Sequence, residues 1–151
     1  MRPYLDKAAP PVWASAQQFS LSVGHFATEN GLSANEAELM KVRASQINGC
    51  SFCLDLHSRD ARKVGVPQQK LDVLNAWRDT ALFTERERAV LAVAEAATRV
   101  PVTDDAAADL VAARKLLGEN TFAAAEWVGI AINMFNRISI LSEHPVRPSD
   151  K

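Results

Sequence analysis

Helix start and stop signals recur along this chain of 151 residues, and they constrain its fold more than any other feature. Ser33-x-x-Glu36 and Thr84-x-x-Glu87 are capping boxes, in which the hydroxyl caps one free backbone N–H and the carboxylate reaches back to another. Asn48-Gly49 is a typical helix end, because both residue types tolerate the left-handed backbone conformation. The period-two alternation that marks strands extends over no useful length. The sequence therefore predicts an all-α fold.

The same signals predict a single-domain bundle of about six or seven helices. The helices would cover residues 10–29, 33–48 and 50–64, a short segment after 66–67, a stretch from 84, residues 103–118 and about 121–141. The last helix is apolar on most sides, so we expect it to be buried in the core or in a subunit interface. Neither a repeat nor a long linker divides the chain, so we expect one domain over residues 1–151, with a motif-bearing core at about 33–99.

Charge and hydropathy exclude two classes of partner. The 17 basic and 18 acidic residues are interspersed and leave a net charge of -1, which provides no clustered positive surface for nucleic acid. No apolar run approaches the roughly 20 residues that cross a bilayer. The first residues lack the apolar stretch of a secretion signal. We therefore expect a cytoplasmic protein that binds neither nucleic acid nor membrane, and nothing in the sequence requires a cofactor.

The two cysteines of the chain, Cys50 and Cys53, lie three positions apart, and His57 follows them. On a helix these three side chains project from one face. Cys50 lies at the expected amino terminus of that helix, where unpaired N–H groups and the helix dipole favour a thiolate. His57 is one turn from Cys53 and could take the proton of that thiol, directly or through one water. Helix-end electrostatics thus favour Cys50 as the nucleophile, whereas the neighbouring base favours Cys53.

A cysteine pair at this spacing is typical of redox chemistry, but two other interpretations stay open. In a redox cycle one thiolate attacks a peroxide and becomes a sulfenic acid, the other condenses with it to a disulfide, and an external dithiol reduces that disulfide. Alternatively, the two cysteines and His57 could supply three zinc ligands, with Glu38 or water as the fourth. The lack of a second Cys/His cluster in the sequence argues against zinc. The pair could also be two buried thiols beside an unrelated histidine.

The spacing of these residues carries a family resemblance. Glu38, eleven further residues and then Cys50-x-x-Cys53-x-x-x-His57 resemble the AhpD-like core of the carboxymuconolactone decarboxylase family. Residues 39–50 resemble the helix that leads into that motif, and residues 131–137 resemble the family's closing helix. The resemblance implies an all-helical AhpD-like fold and a homo-oligomer, either a trimer or a hexamer.

The resemblance also implies an activity and a role for each residue. The protein would be a thiol-dependent peroxidase of the peroxiredoxin type, which reduces organic hydroperoxides or hydrogen peroxide with electrons from a lipoyl- or thioredoxin-like dithiol. Cys53 would become the sulfenic acid, and Cys50 would resolve it and meet the reductant. His57 and Glu38 would form a proton relay through water.

One position departs from the family's pattern. The best-known hydroperoxidases of the family carry a second histidine just before the second cysteine, where this chain has Phe52. A phenyl ring cannot transfer a proton, so the sequence also admits a general thiol–disulfide oxidoreductase or redox sensor with little peroxidase activity. A lactone decarboxylase-like relative is the weaker alternative, because decarboxylases of this superfamily generally lack the cysteine pair.

Several polar residues lie outside the motif. We expect His25 to be a surface or packing residue and His144 to lie in a loose tail. Asn133, Asn136 and Arg137 interrupt the apolar last helix, and burying them would require hydrogen-bond partners. The sequence predicts that they either bond across a subunit contact or face solvent.

Overall fold

The computed structural model describes residues 1–149, which form helices joined by short turns and contain no strand. The elements are α1 (Leu5–Ala8), α2 (Pro10–Glu29), α3 (Ala34–Asn48), α4 (Ser51–Lys63), α5 (Gln68–Asp72), a 3₁₀ helix (Leu74–Asp79), α6 (Glu85–Thr98), α7 (Asp104–Leu117) and α8 (Glu119–Ser142). The prediction of an all-α, single-domain fold is confirmed. Two details differ: the short α1 was not predicted, and the segment after Pro67 divides into α5 and the 3₁₀ helix.

Local capping fixes where the helices around the motif begin and end. At the start of α3 the hydroxyl of Ser33 accepts from the N–H of Glu36 at 3.1 Å, and the Glu36 carboxylate accepts from the N–H of Ser33 at 3.0 Å. Thr84 and Glu87 form the same box at the start of α6. Gly49 ends α3 with a φ of 67°, a conformation that glycine adopts without strain. Because α4 begins two residues later, the cysteine motif lies directly against the end of α3.

Two apolar clusters form the interior, and α3 and α6 contribute to both. The first lies among α2, α3, α6, α7 and α8 and includes Met40 and Val90. The second lies among α3, α4, α5, the 3₁₀ helix and α6, and it includes Leu39 and Leu91. Burial of each such side chain stabilises the fold by roughly 1.5–3 kcal/mol. Since neighbouring residues of α3 pack into different clusters, this helix is held on two sides and gives a rigid base for the motif.

The last helix, α8, is buried along one side only. Val128 and Ile132 are almost fully buried, whereas Trp127 and Ile130 are about half exposed. The expected burial in the core is therefore confirmed for one side of the helix, and a subunit contact on the other side stays a prediction. Within residues 1–149, none of the helices combines the length and apolar character needed to cross a bilayer.

Two asparagines of α8 bond within the chain, so the prediction of subunit or solvent contacts was wrong for them. The side-chain amide of Asn48 donates to Asn133 at 2.8 Å and to Asn136 at 2.9 Å. Asn136, which is fully buried, donates to the hydroxyl of Ser45 at 3.0 Å. These bonds join the end of α3 to the middle of α8. Arg137 is exposed, as one of the two alternatives predicted.

Candidate active site

The cysteine pair lies where α4 begins. Cys50 is the N-cap residue of α4, Cys53 is in its first turn, and a disulfide joins their sulfurs. The Sγ of Cys50 accepts from the backbone N–H of Cys53 at 3.3 Å and so takes the place of the oxygen that caps other helices. The two residues are only 2% and 3% exposed. The pair is therefore shielded from solvent. It also lies at the positive end of a helix dipole, and this position favours a thiolate once the disulfide is reduced.

His57 lies further along α4 and is held by a carboxylate from α3. Its Nδ1 lies 3.0 Å from Oε2 of Glu38, and Oε1 of Glu38 accepts from Lys41 Nζ, also at 3.0 Å. An ionised carboxylate can only accept hydrogen bonds, so Nδ1 carries the hydrogen and Nε2 keeps its lone pair. Nε2 is therefore the ring atom that can take a proton from a thiol.

The surroundings of Glu38 keep its carboxylate ionised. Burial raises the pKa of Glu38, but the hydrogen bond from His57 and the positive charge of Lys41 outweigh this effect and hold the pKa below its ordinary value. The carboxylate therefore stays negative at neutral pH and fixes the orientation of the imidazole. These three residues also border a cavity of about 250 Å³ on the side of α2.

A larger cavity of about 570 Å³ lies beside the disulfide. Cys53 and His57 both line it, whereas Cys50 lies outside its wall. The rest of the wall is mostly apolar and comes from α2, α4 and α8: Trp13, Leu21, Phe52, Leu56, Phe135 and Ile138. A small organic molecule could therefore lie against Cys53 with its apolar part on these side chains.

The four sequence-predicted residues thus come together in pairs. Cys50 and Cys53 share the disulfide, Glu38 and His57 share a hydrogen bond, and Cys53 and His57 share the larger cavity. Their catalytic roles stay predictions.

Sequence reasoning missed His144, which lines the larger cavity as well. The expectation of a loose tail was wrong at this residue, because Glu143 ends α8 in the left-handed conformation and turns His144 back onto the helix. Nε2 of His144 lies 3.2 Å from Asp6, Nδ1 lies 3.3 Å from the hydroxyl of Ser139, and the ring packs against Phe52 at 5.3 Å between centroids. Asp6 is 138 positions away in sequence, so no local pattern could have paired the two residues. His25 is exposed on α2, as predicted.

The zinc alternative requires a different state of the pair. Each sulfur is bonded to the other, so neither offers the thiolate that binds zinc. Ligand atoms of Glu38, His57 and Asp60 do lie within 4.8 Å of one another. Each of these groups already has a protein partner, since Asp60 pairs with Lys63 at 3.3 Å. A cysteine-bound zinc would therefore occur only after reduction.

Fold and site together define a class: small helical proteins of the AhpD type, in which a CxxC pair opens one helix and a glutamate from the preceding helix holds its histidine. The chain belongs to the carboxymuconolactone decarboxylase family, whose model matches residues 15–96. The match includes α3, α4 and all four sequence-predicted residues. The family resemblance stated from the sequence is confirmed.

Individual relatives agree with this assignment. The uncharacterized protein YdfG of Bacillus subtilis (strain 168) is 33% identical over 118 residues, which are 76% of this chain and 78% of YdfG. The uncharacterized protein YnjA of Escherichia coli (strain K12) is 37% identical over 67 residues, or 44% of this chain and 37% of YnjA. A similar crystal structure is that of a protein of unknown function from Agrobacterium tumefaciens, whose suggested role is that of the antioxidant defence protein AhpD. It superposes on this chain with a TM-score of 0.79 and 30% sequence identity. The match covers 97% of this chain and 99% of that chain. The AhpD-like fold therefore extends over nearly the whole chain.

Proposed function

We propose that the protein is a thiol peroxidase, which reduces organic hydroperoxides or hydrogen peroxide through a dithiol–disulfide cycle of Cys50 and Cys53. One observation carries this proposal: Cys53 borders the cavity that it shares with His57, and His57 is held by Glu38 at 3.0 Å. A nucleophile, a base and a group that orients the base are the parts from which enzymes build an activated nucleophile.

The first half of the cycle oxidises Cys53. In the reduced protein Nε2 of His57 takes the proton of the Cys53 thiol, and Glu38 stabilises the imidazolium that results. The thiolate attacks one oxygen of the peroxide, so that an S–O bond forms and the O–O bond breaks. The sulfur is oxidised by two electrons to a sulfenic acid, and the leaving oxygen takes up a proton, so that the peroxide is reduced to an alcohol or water. The apolar wall of the cavity suits the organic part of a hydroperoxide.

The second half restores the thiols. The Cys50 thiolate, which the start of α4 stabilises, attacks the sulfenic sulfur of Cys53, so that the S–S bond forms and the S–O bond breaks. The leaving hydroxide takes the proton that His57 holds and departs as water. A lipoyl- or thioredoxin-like dithiol then reduces the disulfide by exchange. Since both sulfurs are almost fully buried, this dithiol must reach them through the cavity or after the first turn of α4 opens.

The proposal is tested by peroxide consumption coupled to oxidation of dihydrolipoamide. Cys53→Ser should abolish consumption, because the nucleophile is lost. Cys50→Ser is the matched variant: it should reduce one equivalent of peroxide per protein and then stop, because no thiol remains to resolve the sulfenic acid. Unchanged turnover in Cys53→Ser would contradict the proposal, and the reverse pattern in the two variants would exchange the roles of the cysteines.

A second candidate function is that of a general thiol–disulfide oxidoreductase or redox sensor. Phe52 favours it, since this residue is 36% exposed and its ring offers an apolar contact for a partner's thiol-bearing surface. Such a protein would titrate between dithiol and disulfide in a glutathione buffer but would leave added peroxide unchanged. Mass spectrometry of the pair and a peroxide assay on the same sample separate the two functions.

We also propose that the protein forms a homo-oligomer, a trimer or a hexamer. Helices α2 and α8 leave large apolar side chains exposed, among them Val12, Leu21, Trp127 and Ile130. Large apolar side chains exposed on two helices are common where subunits meet. Light scattering of the purified protein measures the number of subunits directly.

A further inference from the structure

A chain of three polar side chains crosses one wall of the larger cavity. Nε2 of His144 bonds to Oδ1 of Asp6 at 3.2 Å, and its Nδ1 bonds to Oγ of Ser139 at 3.3 Å. All three residues line the cavity that also contains Cys53 and His57. The peroxidase steps described above use none of the three.

The position of His144 is fixed by its neighbours. Its backbone N–H donates to the carbonyl oxygen of Ser139 at 3.1 Å. Its ring lies between Tyr4, at 5.0 Å in an edge-to-face contact, and Phe52, at 5.3 Å. The side chains of His144 and Asp6 are both largely buried, 15% and 18% exposed. Because these side chains are buried in a packed wall, their hydrogen-bonded arrangement from Asp6 through His144 to Ser139 is held in place.

The two protonation states of the ring give Ser139 different roles. In the neutral ring, Nε2–H donates to the Asp6 carboxylate, and Nδ1 accepts from the Ser139 hydroxyl. In the imidazolium, both ring nitrogens donate, so that Ser139 Oγ accepts from Nδ1–H and its own hydrogen can point into the cavity. The charged ring therefore turns Ser139 into a proton donor toward the cavity, and Asp6 stabilises that charge.

We propose that Ser139 donates the proton that the leaving oxygen of the peroxide requires, and that His144, whose charged ring Asp6 stabilises, replaces the proton on Ser139. The inference rests on the proposed peroxidase function. As the Cys53 thiolate forms its S–O bond, the electron pair of the O–O bond moves to the leaving oxygen. That oxygen takes the hydroxyl proton of Ser139, and Ser139 Oγ takes the proton of His144 Nδ1. An alcohol or water leaves, and the neutral imidazole stays bonded to Asp6.

Other charged groups lie on the outer side of His144. Lys7 Nζ lies 3.8 Å from the far oxygen of Asp6, and Asp55 pairs with Arg59 at 2.9 Å on α4. These residues and Arg147 border a groove on the outer side of His144. Asp6 is thus the carboxylate that acts on the ring directly.

The proposal is tested by comparing two oxidants whose leaving groups differ in their need for a proton. Reduced protein is mixed with tert-butyl hydroperoxide or with peracetic acid, and the rate of disulfide formation is measured in a single turnover. A butoxide ion needs a proton in order to leave, whereas acetate is stable as an anion. Removing a general acid typically costs roughly 10²- to 10⁴-fold, so His144→Leu should slow the reaction with tert-butyl hydroperoxide by about 100-fold and that with peracetic acid by less than about twofold.

A second variant and a control complete the experiment. Ser139→Ala removes one hydroxyl, leaves the ring of His144 in place and should show the same selective loss. His25→Leu alters an exposed histidine of α2 and should change neither rate. If both variants react more slowly with both oxidants to the same extent, the residues only support the fold. If the rates are unchanged, His57 donates the proton to the leaving oxygen. Either result overturns the proposal. Wild-type protein that forms no disulfide with either oxidant would instead refute the peroxidase function itself.

Discussion

Replacing Glu38 with glutamine keeps the shape of the side chain and removes its negative charge. In the wild-type protein the carboxylate accepts from His57 Nδ1 and from Lys41 Nζ, both at 3.0 Å. The amide of glutamine has one accepting oxygen, and its NH₂ group can only donate. At least one of the two partners therefore loses its acceptor, and both lose the negative charge. We expect a peroxide to oxidise Cys53 more slowly in Glu38→Gln than in the wild-type protein, because the imidazolium of His57 is no longer stabilised.

The size of the effect follows from the bond between His57 and Glu38. A hydrogen bond to a charged group contributes roughly 1.5–3 kcal/mol. This bond is largely shielded from water, since the side chains are 16% and 12% exposed. If the bond acts fully in the transition state of proton transfer, the rate should fall about 10- to 150-fold, because about 1.4 kcal/mol corresponds to a factor of ten.

The assay is the rate of disulfide formation after reduced protein is mixed rapidly with cumene hydroperoxide. Glu36→Gln is the matched control, because Glu36 is also buried on α3 but pairs with Arg86, at 2.8 Å. The control should lower the free energy of unfolding and leave the rate of Cys53 oxidation unchanged. A wild-type rate in Glu38→Gln, or an equally slow rate in Glu36→Gln, would refute the argument that Glu38 acts on the base.

Three further variants test the electrostatics, the polar interior and the surface. Burial raises the pKa of Glu95, but hydrogen bonds, first that from Trp77, hold it below its ordinary value. The stability that Glu95 contributes is then complete at neutral pH and is lost as the pH falls through the lowered pKa, so Glu95→Gln should reduce the Tm more at neutral pH than at about pH 3. Asn136→Ala removes a buried partner of Asn48 and should lower the free energy of unfolding, measured in urea, by about 2–3 kcal/mol. Trp127→Glu places a charge on the exposed apolar face of α8 and should shift the protein toward monomers in light scattering.

Each of these variants has a contrary outcome. An equal loss of Tm at both pH values would show that Glu95 stabilises the fold by packing alone. Unchanged urea unfolding of Asn136→Ala would mean that water replaces the lost amide. If Trp127→Glu has the same number of subunits as the wild-type protein, the subunit contact lies on another face.

The helix boundaries were predictable because their causes are local. The capping box at Ser33 and the left-handed Gly49 act within a few residues, so the sequence alone indicates where α3 begins and ends. α1 was missed because it has four residues and lacks a side-chain cap. Its position depends instead on α8, since the N–H of Leu5 donates to the hydroxyl of Ser142 at 3.0 Å. A contact between opposite ends of the chain leaves no periodic pattern.

The same division between local and distant causes applies to the site. Cys50, Cys53 and His57 could be grouped because helical periodicity relates them, and Glu38 could be added because its spacing to the motif matches the family. Ser139 and its polar neighbours escaped prediction, because an isolated serine in an apolar helix gives no indication of its partner. Distant pairs of this kind become visible only when α1, α4 and α8 are packed together.

The backbone of Cys50 is anchored, and this has a consequence for the reduced state. Its N–H donates to the carbonyl oxygen of Ser45 at 3.1 Å, and the hydroxyl of Ser45 is itself bonded to Lys41 and Asn136. When the two sulfurs separate, we therefore expect the backbone of Cys50 to keep its place and the displacement to occur in the first turn of α4, which carries Cys53. In that case the hydrogen bonds between α3 and α8 determine which of the two sulfurs moves on reduction.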